Sequence, residues 1–109
     1  MKGFVYLLLE VNNDGFERYK IGISKNHPDK RVKQLQTGSS NKISTINYFE
    51  SANYKKIEKL LHLRFHNKKT DGGTEWFCLE DDDIYNFIKF CEEYDNMISF
   101  MKTNNSFYK

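Results

Sequence analysis

The chain has 109 residues, 39% of them hydrophobic and 16% aromatic, a composition that suits one compact domain and excludes both a disordered chain and a two-core protein. No apolar run approaches the roughly 18 residues that cross a bilayer, and two cysteines without a CxxC spacing exclude a disulfide framework or a zinc knuckle, so a cytoplasmic protein with reduced thiols and no membrane partner is expected. The net charge of +2 conceals a split, 14 Lys and Arg against 6 Asp and Glu through Thr70 and 3 against 9 beyond it, which points the first two thirds toward a polyanion.

Residues 4–10 are dense in Val, Tyr and Leu between Gly3 and "NNDG", the pattern of a buried strand. Residues 17–23 alternate, with Tyr19, Ile21 and Ile23 on one side and Arg18, Lys20 and Gly22 on the other. The two runs read as a hairpin. One shared apolar face requires Val5, Leu7 and Leu9 to lie opposite Ile23, Ile21 and Tyr19, and that parity demands an odd loop, Asn13-Asp14-Gly15, with Gly15 left-handed. A two-residue turn would flip one strand. The odd loop sets Tyr6 directly across from Gly22 and diagonal to Lys20, all three on the face away from the apolar stripe, where a phenol and an ammonium flank a bare stretch of backbone.

Pro28 suits the first turn of a helix whose inner face is Val32 and Leu35 and which ends at Gly38, before the polar loop "TGSSNK". Residues 43–49 are a third strand candidate. Over residues 54–65 a helical period places Tyr54, Ile57, Leu60, Leu61 and Phe65 on one face. "KKTDGG" is a turn, "EWFCL" a short strand, and "EDDD" caps a last helix carried by Ile84, Phe87, Ile88 and Cys91. The periodicity fades after Asn96, which divides the chain into a domain at 1–95 and a loose tail at 96–109.

Five motifs in order, "FVY" at residues 4–6, "KIG" at 20–22, Arg31 in "DKRVKQL", Glu58 in "IEKLLHLRF" and "GTEWF" at 73–77, resemble the GIY-YIG nuclease superfamily, in particular a phage and bacterial branch that carries "KIG" in place of "YIG". The resemblance spans residues 3–95. It implies an α/β (α+β) fold, a small, mainly antiparallel three-stranded sheet flanked by helices. It also implies an endonuclease that hydrolyses DNA phosphodiester bonds with a divalent metal, Mg2+ or Mn2+: Tyr6 as general base on the water, Arg31 on the scissile phosphate, Glu58 on the one metal.

The residue types suit that chemistry. Phosphodiester hydrolysis needs an activated water, positive charge on the phosphoryl oxygens and a cation on the leaving oxygen. Arg31 lies within about a turn and a half of a helix start, where guanidinium and backbone N–H groups converge on an anion. Glu58 stands roughly 80° round its helix from the middle of the apolar stripe, so its carboxylate reaches the sheet edge, and one carboxylate with retained waters is an ordinary magnesium site. Lys20 replaces the second-motif tyrosine and holds a phosphate as a point charge, while Leu35 stands where many members carry a histidine. These departures leave a second reading, a weakly active or inactive DNA-binding module that keeps the phosphate cradle.

Glu58, His62 and His66 recur every four residues on one helix face. A zinc site there lacks a fourth ligand at motif spacing, so His62 is read as a neighbour that assists Glu58. Lys25, Lys33, Lys42 and Lys55 surround the expected site and suit contacts to the DNA backbone. Trp76 and Phe77 read as core. A third reading uses the acidic end as a protein-interaction surface.

Overall fold

A computed structural model of the chain describes residues 1–70 and 76–104. Strand β1 (Gly3–Val11) and strand β2 (Glu17–Ser24) pair antiparallel with Val5 opposite Ile23, Tyr6 opposite Gly22, Leu7 opposite Ile21 and Leu9 opposite Tyr19. The turn between them is the odd one. Gly15 has φ 80°, a left-handed value that glycine adopts without steric cost. The Asn12 side-chain oxygen accepts from the N–H groups of Asp14 and Phe16, both at 2.9 Å, and locks the turn.

Helix α1 (Pro28–Thr37) starts on its proline and stops at Gly38. Strand β3 (Lys42–Ser51) adds to the free edge of β1, antiparallel, with a bulge between Leu7 and Leu8 that leaves Ile46 as the extra residue. Helix α2 (Tyr54–Arg64) and a short 3-10 turn (His66–Lys68) follow. Strand β4 (Trp76–Phe77) is two residues long and pairs with β2 at Phe77 opposite Tyr19 and Trp76 opposite Lys20. The sheet therefore has four strands in the order β3-β1-β2-β4 where three were expected. The class is the expected α+β one. Half of the "KKTDGG" turn and most of the "GTEWF" motif fall at 71–75, outside the described residues.

Helices cover both faces. Val32 and Leu35 of α1 pack on Tyr6, Leu8 and Ile43. On the other face Ile57 and Leu61 of α2, with Phe65, meet Val5, Leu7, Tyr19 and Ile21, joined by Phe87, Cys91 and Ile98 of a helix at the end of the chain. This larger core is the expected apolar stripe. Burying its Leu, Ile and Phe side chains contributes about 1.5–3 kcal/mol each.

The acidic run opens a helix, but a short one. Helix α3 (Asp81–Tyr85) ends where Asn86 turns back, its backbone N–H and side-chain amide both donating to Asp82 O at 3.0 and 2.9 Å. Helix α4 (Phe87–Asn104) then starts afresh. Asp83 accepts from the backbone N–H of Glu80 at 3.0 Å and from Lys68 Nζ at 2.5 Å, so the run caps α3 and also anchors the 3-10 turn. That hydrogen bond raises the Lys68 pKa above its ordinary value, against a smaller opposing effect of burial.

The break after residue 95 does not occur in the described chain. Helix α4 continues to Asn104 and Ile98 is 2% exposed in the main core. Apolar periodicity fades there because hydrogen bonds take over part of the docking. The side chain of Asn53, ahead of α2, donates to Asp95 at 2.9 Å and to Ser99 at 3.1 Å and accepts from Lys102 at 2.5 Å, while Ser51 donates to Asp95 at 2.5 Å. Residues 105–109 lie outside the described part.

Two outcomes follow for stability. Ile98→Ala is expected to cost about 2–4 kcal/mol in urea unfolding, whereas Phe100→Ala, at a side chain 67% exposed, stays within about 0.5 kcal/mol; equal costs would mean that α4 does not dock beyond position 95. Burial, reinforced by Asp95 and Glu92, pushes the Cys91 thiol up to about 12 from 9.0, while Cys78 is exposed. A thiol reagent at mildly alkaline pH is expected to titrate Cys78 in the folded protein and Cys91 only after denaturation. Because the folded value is the raised one, this contribution is complete below the unfolded value of 9.0 and drains away as pH climbs from there toward 12. Cys91→Ala should make that alkaline fall in the urea midpoint shallower.

Candidate active site

Tyr6 and Gly22 face each other across the hairpin, and the phenol fills the space that glycine leaves: a Cβ on Gly22 would stand 2.5 Å from Tyr6 Oη and 2.6 Å from Cζ. The expected bare backbone is thus covered by the tyrosine ring. Tyr6 is 2% exposed and Lys20 7%. On the Lys20 side the cover is Trp76, whose ring lies 5.3 Å from Lys20 Nζ and 4.0 Å from the Arg18 guanidinium carbon. Arg18 is in turn paired with the buried Glu10 at 2.5 Å. Trp76 is a half-buried lid over two cations rather than the core residue expected.

Arg31 belongs to the same side of the sheet. It sits one turn after Pro28 and one turn before Leu35, both turned toward the strands, so the spacing of a helix brings it over the Tyr6 face. It is half-exposed, and Nη1 makes a long 3.4 Å contact to Gln34. The entry of α1 is fixed by rings absent from the expected site. His27 lies 4.6 Å from Tyr48 and 5.8 Å from Phe4, and its Nδ1 accepts from Asp29 N–H at 3.3 Å. Tyr48 stands directly across β1 from Tyr6 and is 40% exposed. The bulge at Ile46 decides which β3 residue meets Tyr6, and no residue pattern announces it.

Glu58 comes from the opposite layer and approaches by the edge. Among the described residues the outer edge of β2, the one away from β1, is paired with β4 at Tyr19 and Lys20 and with no strand beyond Lys20. His62 occupies that edge: its Nε2 is 2.8 Å from Ile21 O, and because a carbonyl only accepts, Nε2 carries the proton. The His62 ring also meets Phe77 edge to face at 5.2 Å. The start of α2 lies by Gly3, where a Cβ would stand 2.6 Å from the Tyr54 ring, so the helix runs antiparallel to β2. One turn back from His62 is about 6 Å, or two strand residues, which sets half-buried Glu58 level with Ile23.

The hairpin and α1 therefore assemble Tyr6, Lys20 and Arg31 on one face, and α2 brings His62 to the edge at Ile21 with Glu58 one turn earlier on the helix. His66 is exposed beyond the end of α2 and shares a cleft of about 320 Å³ with His62, Lys59 and Lys69. Among the described residues no three His, Cys, Asp or Glu side chains gather as a metal cluster. Lys25 and Lys55 line one pocket together; Lys33 on α1 and Lys42 at the start of β3 are exposed elsewhere. Among the described residues no helix is long and apolar enough to cross a membrane.

Gly22→Ala tests the contact that organises this face. Forcing a methyl into the Tyr6 ring is expected to cost about 1–3 kcal/mol, and Tyr6→Leu in the same chain should recover most of it, giving a clear coupling in a double-mutant cycle of urea midpoints. Additive costs would mean that the ring does not lie on Gly22.

Residues 3–92 match the T5orf172 domain family. No curated protein and no solved structure matches the chain. The family match takes in the hairpin, the arginine helix and the helix of Glu58 and His62, together with all four strands of the sheet. By the extent of that match the chain belongs to the T5orf172 domain family.

Proposed function

We propose that this protein is a divalent-metal-dependent endonuclease that hydrolyses DNA phosphodiester bonds. The observation that supports the reading is the arrangement around Gly22: a phenol on the glycine, Lys20 and the Arg31 helix on the same face, and helix α2, which carries Glu58, fixed at the outer edge of β2 through His62. The family is compatible with an endonuclease-like role and with DNA interaction. In this reading Arg31 holds the non-bridging phosphate oxygens and Lys20 adds a point charge. Tyr6 takes the proton of the attacking water. His62, fixed on Ile21 O, holds the edge on which Glu58 stands.

The donor set fits a hydrated hard cation such as Mg2+ or Mn2+, which accepts one carboxylate with waters and substrate oxygens for the rest, and does not fit a zinc cage of four protein ligands. Bound at Glu58, such an ion would supply charge neutralisation at the phosphodiester.

The second reading, a DNA-binding module with little or no cleavage, is favoured by one specific observation. Both Tyr6 and Lys20 are buried, at 2% and 7% exposure, so a water or phosphate reaches them only if the cover shifts. The two readings separate in one assay. Nicking of supercoiled plasmid with Mg2+ or Mn2+ is expected from the intact chain, reduced by at least about 100-fold in Glu58→Gln and in Arg31→Ala, and abolished by chelator. Salt-dependent DNA binding without metal-dependent nicking would select the binding module, and equal nicking by the Glu58→Gln protein would remove Glu58 from the chemistry.

A further inference from the structure

Beyond the candidate active site, the pocket at the start of α2 gathers positive charge from three separate parts of the chain. It has a volume of about 330 Å³, and Lys25 from the turn after β2, Lys55 and Lys56 from the first turn of α2, and Lys102 from the end of α4 all line it. Four ammonium groups around one concavity repel one another, and an anion in their midst converts that repulsion into attraction. Among the described residues no carboxylate lines the pocket; Asp95 lies behind Asn53 and accepts from Ser51 and Asn53. Lys102 donates one proton to Asn53 Oδ1 at 2.5 Å and has two more to give. Asn53 spends its side chain on Asp95, Ser99 and Lys102 and caps no N–H of α2, so first-turn amides add to the same positive field.

We infer that this pocket is a second phosphate subsite, holding a backbone phosphodiester of the nucleic-acid strand next to the one at Glu58. The inference rests on the nucleic-acid reading above and extends it to how the strand is gripped. Lys55 precedes Glu58 by three residues, about 4.5 Å along the helix axis, against about 3.4 Å of rise per nucleotide in one DNA strand. Along α2 the pocket therefore lies within about one helical turn of Glu58, near enough to orient a strand past the carboxylate. Lys102 lies beyond residues 3–92, so this grip is completed by a part of the chain outside the family match.

The experiment is equilibrium binding of a fluorescent DNA duplex to the full chain in chelator, followed by anisotropy across about 50 to 200 mM salt. Lys25→Gln and Lys102→Gln are each expected to reduce the log–log salt slope by about 0.9 and to weaken binding on unrelated sequences alike. Lys89→Gln, an exposed lysine of α4 outside the pocket, should leave the slope unchanged. Lys25 comes from an exposed turn, so its variant keeps the comparison valid if Lys102→Gln loosens α4. Slopes for both pocket variants equal to that of Lys89→Gln overturn the subsite. If Arg31→Ala still weakens binding in that case, the nucleic-acid reading stands and only the subsite falls; if the intact chain binds no DNA, both fall. A duplex with 5′-phosphates and one without should show the same loss, and a loss confined to the phosphorylated duplex would overturn the assignment to a strand phosphodiester in favour of a terminal monoester.

Discussion

The pairing of Tyr6 with Gly22 is the constraint on which the rest of the molecule depends. Side chains alternate across a strand, so a hairpin register is a choice of face for every residue in it. The three-residue turn held by Asn12 and Gly15 fixes that choice. It sends Val5, Leu7 and Ile21 to α2 and α4 and leaves Tyr6, Leu8 and Lys20 for α1. A turn shorter by one residue would bury the lysine beneath α2 and expose the aliphatic stripe. Chemistry and packing are set by the same few backbone angles, and Gly22 is the position where the two meet, because its missing side chain is the room in which the phenol lies.

The sheet acts as a partition, and its short fourth strand makes the partition useful. Among the described residues β4 pairs with β2 at Tyr19 and Lys20, and helix α2 meets the same edge at Ile21. An open edge is a hazard for aggregation, and His62 covers part of it by donating to Ile21 O. Longer pairing by β4 would displace that histidine and close the route by which a carboxylate from the far layer meets the phenol face. The same two residues of β4 carry Trp76 over Arg18 and Lys20. The short strand thus shields the cations beside the edge that His62 holds.

The hairpin, its odd loop, α1 and α2 were legible in the sequence because each is written in local terms: alternation, a turn glycine, Pro28 at a helix start, a 3.6-residue period. The position of Tyr6 against Gly22 followed from parity alone. Three features were not legible, each for its own physical reason. The length of α4 was hidden because polar groups, Asp95, Ser99 and Lys102, share its docking, and hydropathy does not register them. The break at Asn86 depends on an amide that returns to its own helix. Tyr48 and Trp76 join the site through a bulge and a two-residue ladder, both products of tertiary pairing. The motif resemblance located the residues, and only the fold placed Glu58 on the opposite layer from Tyr6 and Arg31.

The uneven distribution of charge takes on a different meaning once the acids are placed. Asp83 is committed to Lys68 and to the cap of α3, and Asp95 to the join between α4, β3 and the start of α2. Upstream, Glu10 is committed to Arg18. These partly or wholly buried carboxylates tie elements together, whereas Glu80, Asp81, Asp82, Glu92 and Glu93 stay exposed and keep a negative surface on α3 and α4. The lysines Lys25, Lys33, Lys42 and Lys55 are exposed, and among the described residues no carboxylate stands within ion-pair distance of them. A domain near neutrality as a whole therefore presents a cationic exterior around the hairpin face and the start of α2. Net charge misleads here because acids on α3 and α4 neutralise the sum without neutralising the surface around the hairpin, and a polyanion responds to the local surface.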